Sequence, residues 1–245
     1  MDKNGLYIFQ KGFNYSQDGP GNRLVYHLCG CNMHCPWCSN PEGLSVKKSS
    51  TFISFEEIIK EALSSRMIFI DGGGVTFTGG EATMQKDALL YVVKALKKEG
   101  VSTCIETNAS LPDSEELFDE IDFMIADFKS PFKACMKDIG ANLEVIKNNL
   151  IYRAKSQKPL LVRVPLVNFF NCDEESFKGF IEFFKELDSV TDNVSFETLT
   201  YHEFGKEKYK SVDMEYTVTD GLVPQEKTSA FAEMLKKENL KLINT

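Results

Sequence analysis

Apolar positions along the chain alternate between short continuous runs and a helical spacing. LVYHL (24–28) is a β-favouring run that leads straight into a cysteine-rich loop. SFEEIIKEALSS follows as a helix. Ser54 is placed to cap it, Glu57 completes a capping box, and Ile58, Ile59 and Ala62 supply one apolar face. VTFT (75–78) is a strand stopped at Gly79–Gly80, and a helix is predicted over 86–98, ended by Gly100. VSTCIET is the next strand, 113–119 a short helix, and FMIADF (123–128) a strand. A helix over 143–155 precedes LLVRVPLV (160–167), a strand with Pro165 near its end. A helix over 174–187, the strand NVSFETL, a helix over 225–238 and LKLIN as a short closing strand complete the series.

Six βα repeats with right-handed crossovers make a parallel sheet curled toward a barrel. Six units rather than eight predict an α/β fold of the partial (β/α)6 TIM type. The 245 residues suffice for one sizeable core, and no linker, low-complexity tract or internal repeat interrupts them. A single domain over 1–245 is expected. Chemistry in such barrels collects on the loops at the C-terminal ends of the strands. The cysteine loop follows the first strand, Gly79–Gly80–Glu81 the second, Glu106–Thr107–Asn108 the third and Asp127–Phe128–Lys129 the fourth. Arg163 lies on the fifth, and Tyr201–His202 follow the sixth.

Charge and cysteine usage narrow the class. A net charge of -8 repels phosphate backbones, so nucleic acid is not an expected partner. The pairs Lys47–Lys48, Lys97–Lys98 and Lys236–Lys237 read as solvated faces. No stretch approaches the roughly 18 apolar residues of a membrane span. MDKNGLYIFQKGF lacks a basic segment followed by a long apolar run. With seven cysteines, an odd count, the expected location is the cytoplasm, where clustered cysteines more often bind metal. Cys104, Cys135 and Cys172 are isolated and read as inert thiols.

The run CNMHCPWC carries the strongest chemical signal. Cys31, Cys35 and Cys38 stand at C-x3-C-x2-C spacing. A cubane iron–sulfur cluster usually takes four cysteines, one per iron, so three ligands leave one iron open to a reactant. Cys29 lies two residues upstream, which leaves a four-thiolate zinc or closed iron site as the alternative. The spacing is not that of paired zinc ribbons, however. Gly79–Gly80 by themselves read as a strand-end turn, and GGGVTF lacks the Lys-Ser/Thr of a phosphate-binding loop. Trp37, the single tryptophan, sits between two of the clustered cysteines and would cover whatever they hold. Arg163 suits pairing with an anion or a place on the surface, and His202 in isolation reads more often as a structural histidine near a helix start.

DGPGNR, GCNMHCPWCSNPEG, GGGVTFTGGEA, the IET and DFK strand ends, VRVPLV and YHEFGKEKY occur in one order along nearly the whole chain. In this the sequence resembles the radical S-adenosylmethionine (SAM) superfamily. Within it the sequence resembles the glycyl radical enzyme activating enzymes of the pyruvate formate-lyase activase type. The resemblance implies an oxidoreductase with one 4Fe–4S cluster on Cys31, Cys35 and Cys38. SAM would chelate the open iron and be cleaved reductively to a 5′-deoxyadenosyl radical, which abstracts hydrogen from a glycine Cα of a partner glycyl radical enzyme. It places Gly79, Gly80, Glu81, Trp37, Asn40 and Arg163 around SAM. Glu106, Thr107 and Asp127 fall at positions for SAM and a monovalent cation, an oxygen-rich set suited to a hard ion. Lys129 and His202 match positions facing the reacting groups. The rivals are another radical SAM reaction, on a small molecule or on anaerobic ribonucleotide reductase, and an iron–sulfur electron carrier or zinc-binding module.

The sequence departs from the family at Asn22, Cys29 and IETNA. It also lacks the inserted ferredoxin-like segment of many relatives, since about fifteen residues (39–53) separate the cysteine loop from the next helix. One cluster, an external one-electron donor such as flavodoxin or ferredoxin, and a monomer are the corresponding expectations.

Overall fold

The computed structural model describes residues 4–46 and 50–243, so the Lys47–Lys48 pair lies outside the described residues. The strands are β1 (Gly5–Tyr15), β2 (Asn22–Leu28), β3 (Thr51–Ser54), β4 (Gly74–Gly79), β5 (Thr103–Thr107), β6 (Phe123–Asp127), β7 (Leu160–Leu166) and β8 (Val194–Thr200). The α-helices are α1 (Phe55–Ser64), α2 (Lys86–Lys98), α3 (Glu115–Glu120), α4 (Lys133–Asp138), α5 (Leu143–Lys155), α6 (Asn168–Asn171), α7 (Glu174–Asp188), α8 (Lys206–Ser211) and α9 (Gln225–Lys237). Among the described residues the strands form one eight-stranded sheet in the order β3-β1-β2-β4-β5-β6-β7-β8. The six strands expected from the sequence follow one another in chain order within it. β2 pairs parallel with β4, β4 with β5, and β7 with β8. The order runs from β3 to β8 without closing, as a partial (β/α)6 barrel requires. LKLIN contributes a single parallel bridge, Phe196 to Leu242, rather than a strand.

β1 and β3 are additions to that expectation. β1 is antiparallel to both β2 and β3. Its first residues are buried and its later ones mostly exposed, and its register against β2 slips between Ile8 and Gln10. A bulge of this kind breaks the two-residue period by which a strand is read.

The chain forms two compact units. The first contains the described residues up to Asn32 together with Glu42–Thr107 and Leu111–Ile125. In it the expected capping box is present: Ser54 Oγ accepts from Glu57 N, and Glu57 Oε2 accepts from Ser54 N at 2.9 Å. Ile58 and Ala62 of α1 and Leu89, Val92, Val93 and Leu96 of α2 are buried. Tyr26 stacks on Phe77 at 5.8 Å between ring centroids. Arg23 of DGPGNR is fully buried, with Nε donating to Thr76 Oγ1 at 2.6 Å and Nη2 to Val75 O at 2.9 Å. Burial lowers its pKa, and carbonyl and hydroxyl acceptors stabilise the cation.

The second unit contains Met33–Pro41, Asn108–Ser110 and the residues from Ala126 onward. Its core is aromatic. Phe128 packs on Phe183 at 4.8 Å, Phe184 on Phe196 at 4.2 Å and Phe177 on Phe231 at 4.5 Å. Phe128 therefore anchors the strand end that presents Asp127 and Lys129. Among the described residues no helix is long and apolar enough to cross a membrane.

Candidate active site

In the first unit, three parallel strands bring predicted residues to one edge. Leu28, the last residue of β2, is in register with Gly79, the last of β4, and β5 ends at Thr107. Gly79 has φ +117°, and a Cβ there would lie 2.4 Å from Leu28 N. At Gly80 a Cβ would lie 2.3 Å from Gly30 O and 2.5 Å from Gly43 O. Glycine is required at both because main chain passes too close for any side chain. At Gly79 what passes is the end of β2, and at Gly80 it is the cysteine loop itself. Glu81 N donates to Gly30 O at 2.7 Å, Gly30 N to Gly43 O at 2.8 Å and Cys31 N to Leu44 O at 3.1 Å.

Glu81 is buried. Its Oε1 accepts from Thr83 N at 2.9 Å, Thr83 Oγ1 at 2.6 Å and Thr107 Oγ1 at 2.6 Å. This carboxylate ties the turn after β4 to the end of β5. Thr78 Oγ1 donates to Glu106 Oε2 at 2.7 Å, so Glu106 and Thr107 are both anchored to neighbouring strand ends. Gln85, which the sequence did not single out, bridges two strands like an extra peptide group. Its Oε1 accepts from Tyr7 N at 2.9 Å, and its Nε2 donates to Tyr7 O at 2.8 Å and Cys29 O at 2.9 Å. The Cys29 thiol is buried and donates to Ser50 Oγ at 3.2 Å. Burial raises its pKa, which keeps it protonated.

In the second unit, Cys35 and Cys38 are partly exposed, and Cys38 N donates to Cys35 O at 3.1 Å. Trp37 between them is buried against Phe170 at 4.5 Å and Phe169 at 5.9 Å. YHEFGKEKY reaches this segment directly. Lys208 Nζ donates to Ser39 O and to Asn40 Oδ1, each at 3.0 Å, and Tyr209 OH donates to Pro36 O at 3.0 Å. Burial pushes the Tyr209 phenol up to about 12, so it stays a donor. His202 is exposed, stacks on Phe204 at 4.2 Å and accepts from Phe204 N at 3.4 Å. Partial burial of its ring lowers the pKa and favours the neutral imidazole.

Asp127 and Lys129 form an ion pair at 2.6 Å. Arg163 Nε donates to Glu197 Oε2 at 2.6 Å, with side chains only 9% and 2% exposed. Glu197 was not foreseen: it is one acidic residue in an apolar strand, and only its burial beside a cation reveals it. Asn171, also unforeseen, is fully buried. Its Nδ2 donates to Lys129 O and Pro165 O, each at 2.8 Å, and its Oδ1 accepts from Val167 N at 2.8 Å. It fixes the ends of β6 and β7 that carry Lys129 and Arg163.

None of the seven cysteines is in a disulfide. Among the described residues no three His, Cys, Asp or Glu side chains are gathered around a single metal-ion position. A cubane takes one thiolate per iron, so its ligands need not converge on one point. Three partly exposed thiols in one loop, with the main chain beside Cys31, Cys35 and Cys38 tied down and Cys29 turned inward, are a donor set that suits such a cluster.

The family model described as the radical SAM superfamily matches residues 25–128. The chain is 31% identical over 221 residues to the pyruvate formate-lyase 1-activating enzyme of Escherichia coli K12, covering 86% of each protein. It is 29% identical over 219 residues to the pyruvate formate-lyase-activating enzyme of Staphylococcus aureus USA300, covering 85% of this chain and 86% of that protein. A crystal structure of a domain of the Bacteroides vulgatus pyruvate-formate lyase-activating enzyme superposes with a TM-score of 0.56 at 22% identity, over 70% of this chain and 98% of that one.

Proposed function

Because the chain belongs to the radical SAM superfamily and, within it, to the family of the pyruvate formate-lyase-activating enzymes, we propose that it activates a glycyl radical enzyme by removing a hydrogen atom from a glycine Cα of that partner. The observation that carries this reading is the extent of the similarity. The match to the Escherichia coli enzyme runs over 221 residues, whereas the superfamily model ends at residue 128. YHEFGKEKY lies in that further stretch and holds the cysteine loop through Lys208 and Tyr209.

Cys31, Cys35 and Cys38 would hold one 4Fe–4S cluster, which with SAM at its open iron supplies a 5′-deoxyadenosyl radical. The chain's own residues do the remaining work. Glycine at 79 and 80 lets the turn after β4 lie against the end of β2 and the cysteine loop, and Glu81 locks that turn to β5. Arg163 is held by Glu197 as a pre-oriented cation, suited to the SAM carboxylate. Lys129 is held by Asp127 and by the Asn171 clamp on its carbonyl. Trp37, between Cys35 and Cys38, is anchored against Phe170 and Phe169 and so fixes the middle of the loop. No general acid or base is required, so catalysis is a matter of placing the target hydrogen close to the radical. The electron comes from an external donor such as flavodoxin or ferredoxin.

The test is anaerobic. Protein loaded with iron and sulfide, then mixed with SAM, a one-electron reductant and a candidate glycyl radical enzyme, should yield 5′-deoxyadenosine and an organic radical on the partner. Deuterium at the partner's glycine Cα should change the hyperfine splitting. Turnover of a small molecule, with every glycyl radical enzyme left unactivated, would reject the protein target and leave the radical SAM chemistry in place.

A further inference from the structure

We propose that Lys208 is a positioning residue for Asn40, turning its amide so that it offers N–H donors to acceptor atoms of a bound purine nucleoside. The inference rests on the reading above that Asn40 stands beside SAM. The two ends of an asparagine amide have nearly the same shape, and only their partners tell them apart. Here the partner decides. An ammonium group has three donors and no acceptor. Lys208 Nζ, 3.0 Å from Asn40 Oδ1, can therefore face only the oxygen end. The amide nitrogen is then the branch turned away from Lys208.

The same side chain also fixes where Asn40 sits. Lys208 Nζ bonds Ser39 O at 3.0 Å, and Tyr209 OH bonds Pro36 O at 3.0 Å. Gly205 lies so close to the loop that a Cβ there would be 2.5 Å from Cys38 O. Residues 205, 208 and 209 have the i, i+3, i+4 spacing that shares one helical face. That face bonds two carbonyls of the segment 36–39 and lies against a third. Asn40 thus takes its place from α8 and its donor polarity from one lysine.

Two measurements test this. Hydrogen–deuterium exchange on protein without iron reads the loop, and SAM binding to protein loaded with iron and sulfide reads the amide. Lys208→Met should speed exchange across 36–40 and weaken SAM binding, each by about tenfold, as loss of a charge-assisted bond predicts. Lys208→Arg should recover most of both. Asn40→Asp separates the two roles. Its carboxylate still accepts from Lys208, so loop protection should persist, whereas SAM affinity should fall about tenfold with the donors gone. Asn40→Asp also carries the test if Lys208→Met does not fold. SAM affinity unchanged in Asn40→Asp, or exchange unchanged in Lys208→Met, would overturn the proposal. Wild-type protein that binds no SAM after loading would instead reject the functional reading, and the exchange experiment would still judge the lysine.

Discussion

The two units secure their strand-end residues by different physics. In the first, the fixing groups are main chain, glycine and neutral side chains, with the Glu81 carboxylate bonded to neutral donors among them. Gly80 lies against Gly30 and Gly43, Gln85 spans Tyr7 and Cys29, and threonine hydroxyls hold Glu81 and Glu106. In the second, beside the Asn171 amide and the Tyr209 hydroxyl, the fixing groups are charged and long. Arg163 meets Glu197, Lys129 meets Asp127, and Lys208 reaches Ser39 and Asn40. Close main-chain packing has no slack, so its failures should be steric and broad. Ion pairs and side-chain tethers can be cut one at a time, so their failures should depend on what is left behind.

The largest effect should come from the second unit. Arg163→Ala strips a cation from Glu197, whose side chain is 2% exposed. Breaking a buried pair on one side costs about 3–5 kcal/mol. Replacing both partners with apolar residues of similar volume is often close to neutral. Arg163→Met combined with Glu197→Met should therefore recover most of the denaturation midpoint lost by Arg163→Ala. If Arg163 also binds SAM, the double variant should regain stability without regaining SAM affinity. Recovery of both would remove Arg163 from the SAM site.

Gly80→Val tests the steric half of the contrast. The new side chain would meet two main-chain oxygens, and main chain cannot rotate aside. Overpacking of this kind costs about 1–3 kcal/mol, and the high end is expected here. The displaced loop includes Gly30, next to Cys31, so iron bound after anaerobic loading should fall together with stability. Full iron content in a destabilised Gly80→Val would show that the turn and the cysteine loop are not mechanically linked. Gln85→Ala should cost less, toward the low end of about 1–3 kcal/mol, for the groups of Tyr7 and Cys29 that lose their partner. Gln85→Glu cannot donate to the two carbonyls and should be no better than alanine in thermal unfolding.

Legibility in the sequence follows the same division. Ser54–Glu57 and the glycines at 79 and 80 were readable because each is a local pattern with a physical reason for its spacing. The helix α2 came out at 86–98 as expected because apolar period and the stop at Gly100 agree. β1 was not readable, because its bulge destroys the period. Glu197, Gln85 and Lys208 were missed for another reason. Their partners lie 34, 78 and 168 residues away, beyond any local window. Each is one polar residue in an otherwise ordinary element, and only burial or contact gives it meaning. The resemblance to the family reached YHEFGKEKY as a motif but pointed to His202. The structure finds His202 exposed beside Phe204 and puts the holding contacts on Lys208 and Tyr209.

The smallest expected effect is the sharpest probe of a side-chain tether. Tyr209→Phe keeps the ring, its burial and its edge contact with Tyr216 at 4.9 Å, and removes only the hydroxyl that donates to Pro36 O. One neutral hydrogen bond is worth about 0.5–1.5 kcal/mol net, so the denaturation midpoint should shift only slightly. Iron content after anaerobic loading should stay at the wild-type level. The loss should appear instead as faster bleaching of the cluster in air, since the segment carrying Cys35 and Cys38 is held by one contact fewer. The phenol also predicts a difference at high pH. Burial raises its pKa from 10.0 to about 12, so the folded state keeps a proton that the unfolded state gives up. Its contribution is therefore fully present below pH 10 and is lost as pH rises from 10 toward 12. Wild-type protein without iron should lose more stability across that interval than Tyr209→Phe does. Parallel losses would mean that the hydroxyl does not hold the loop.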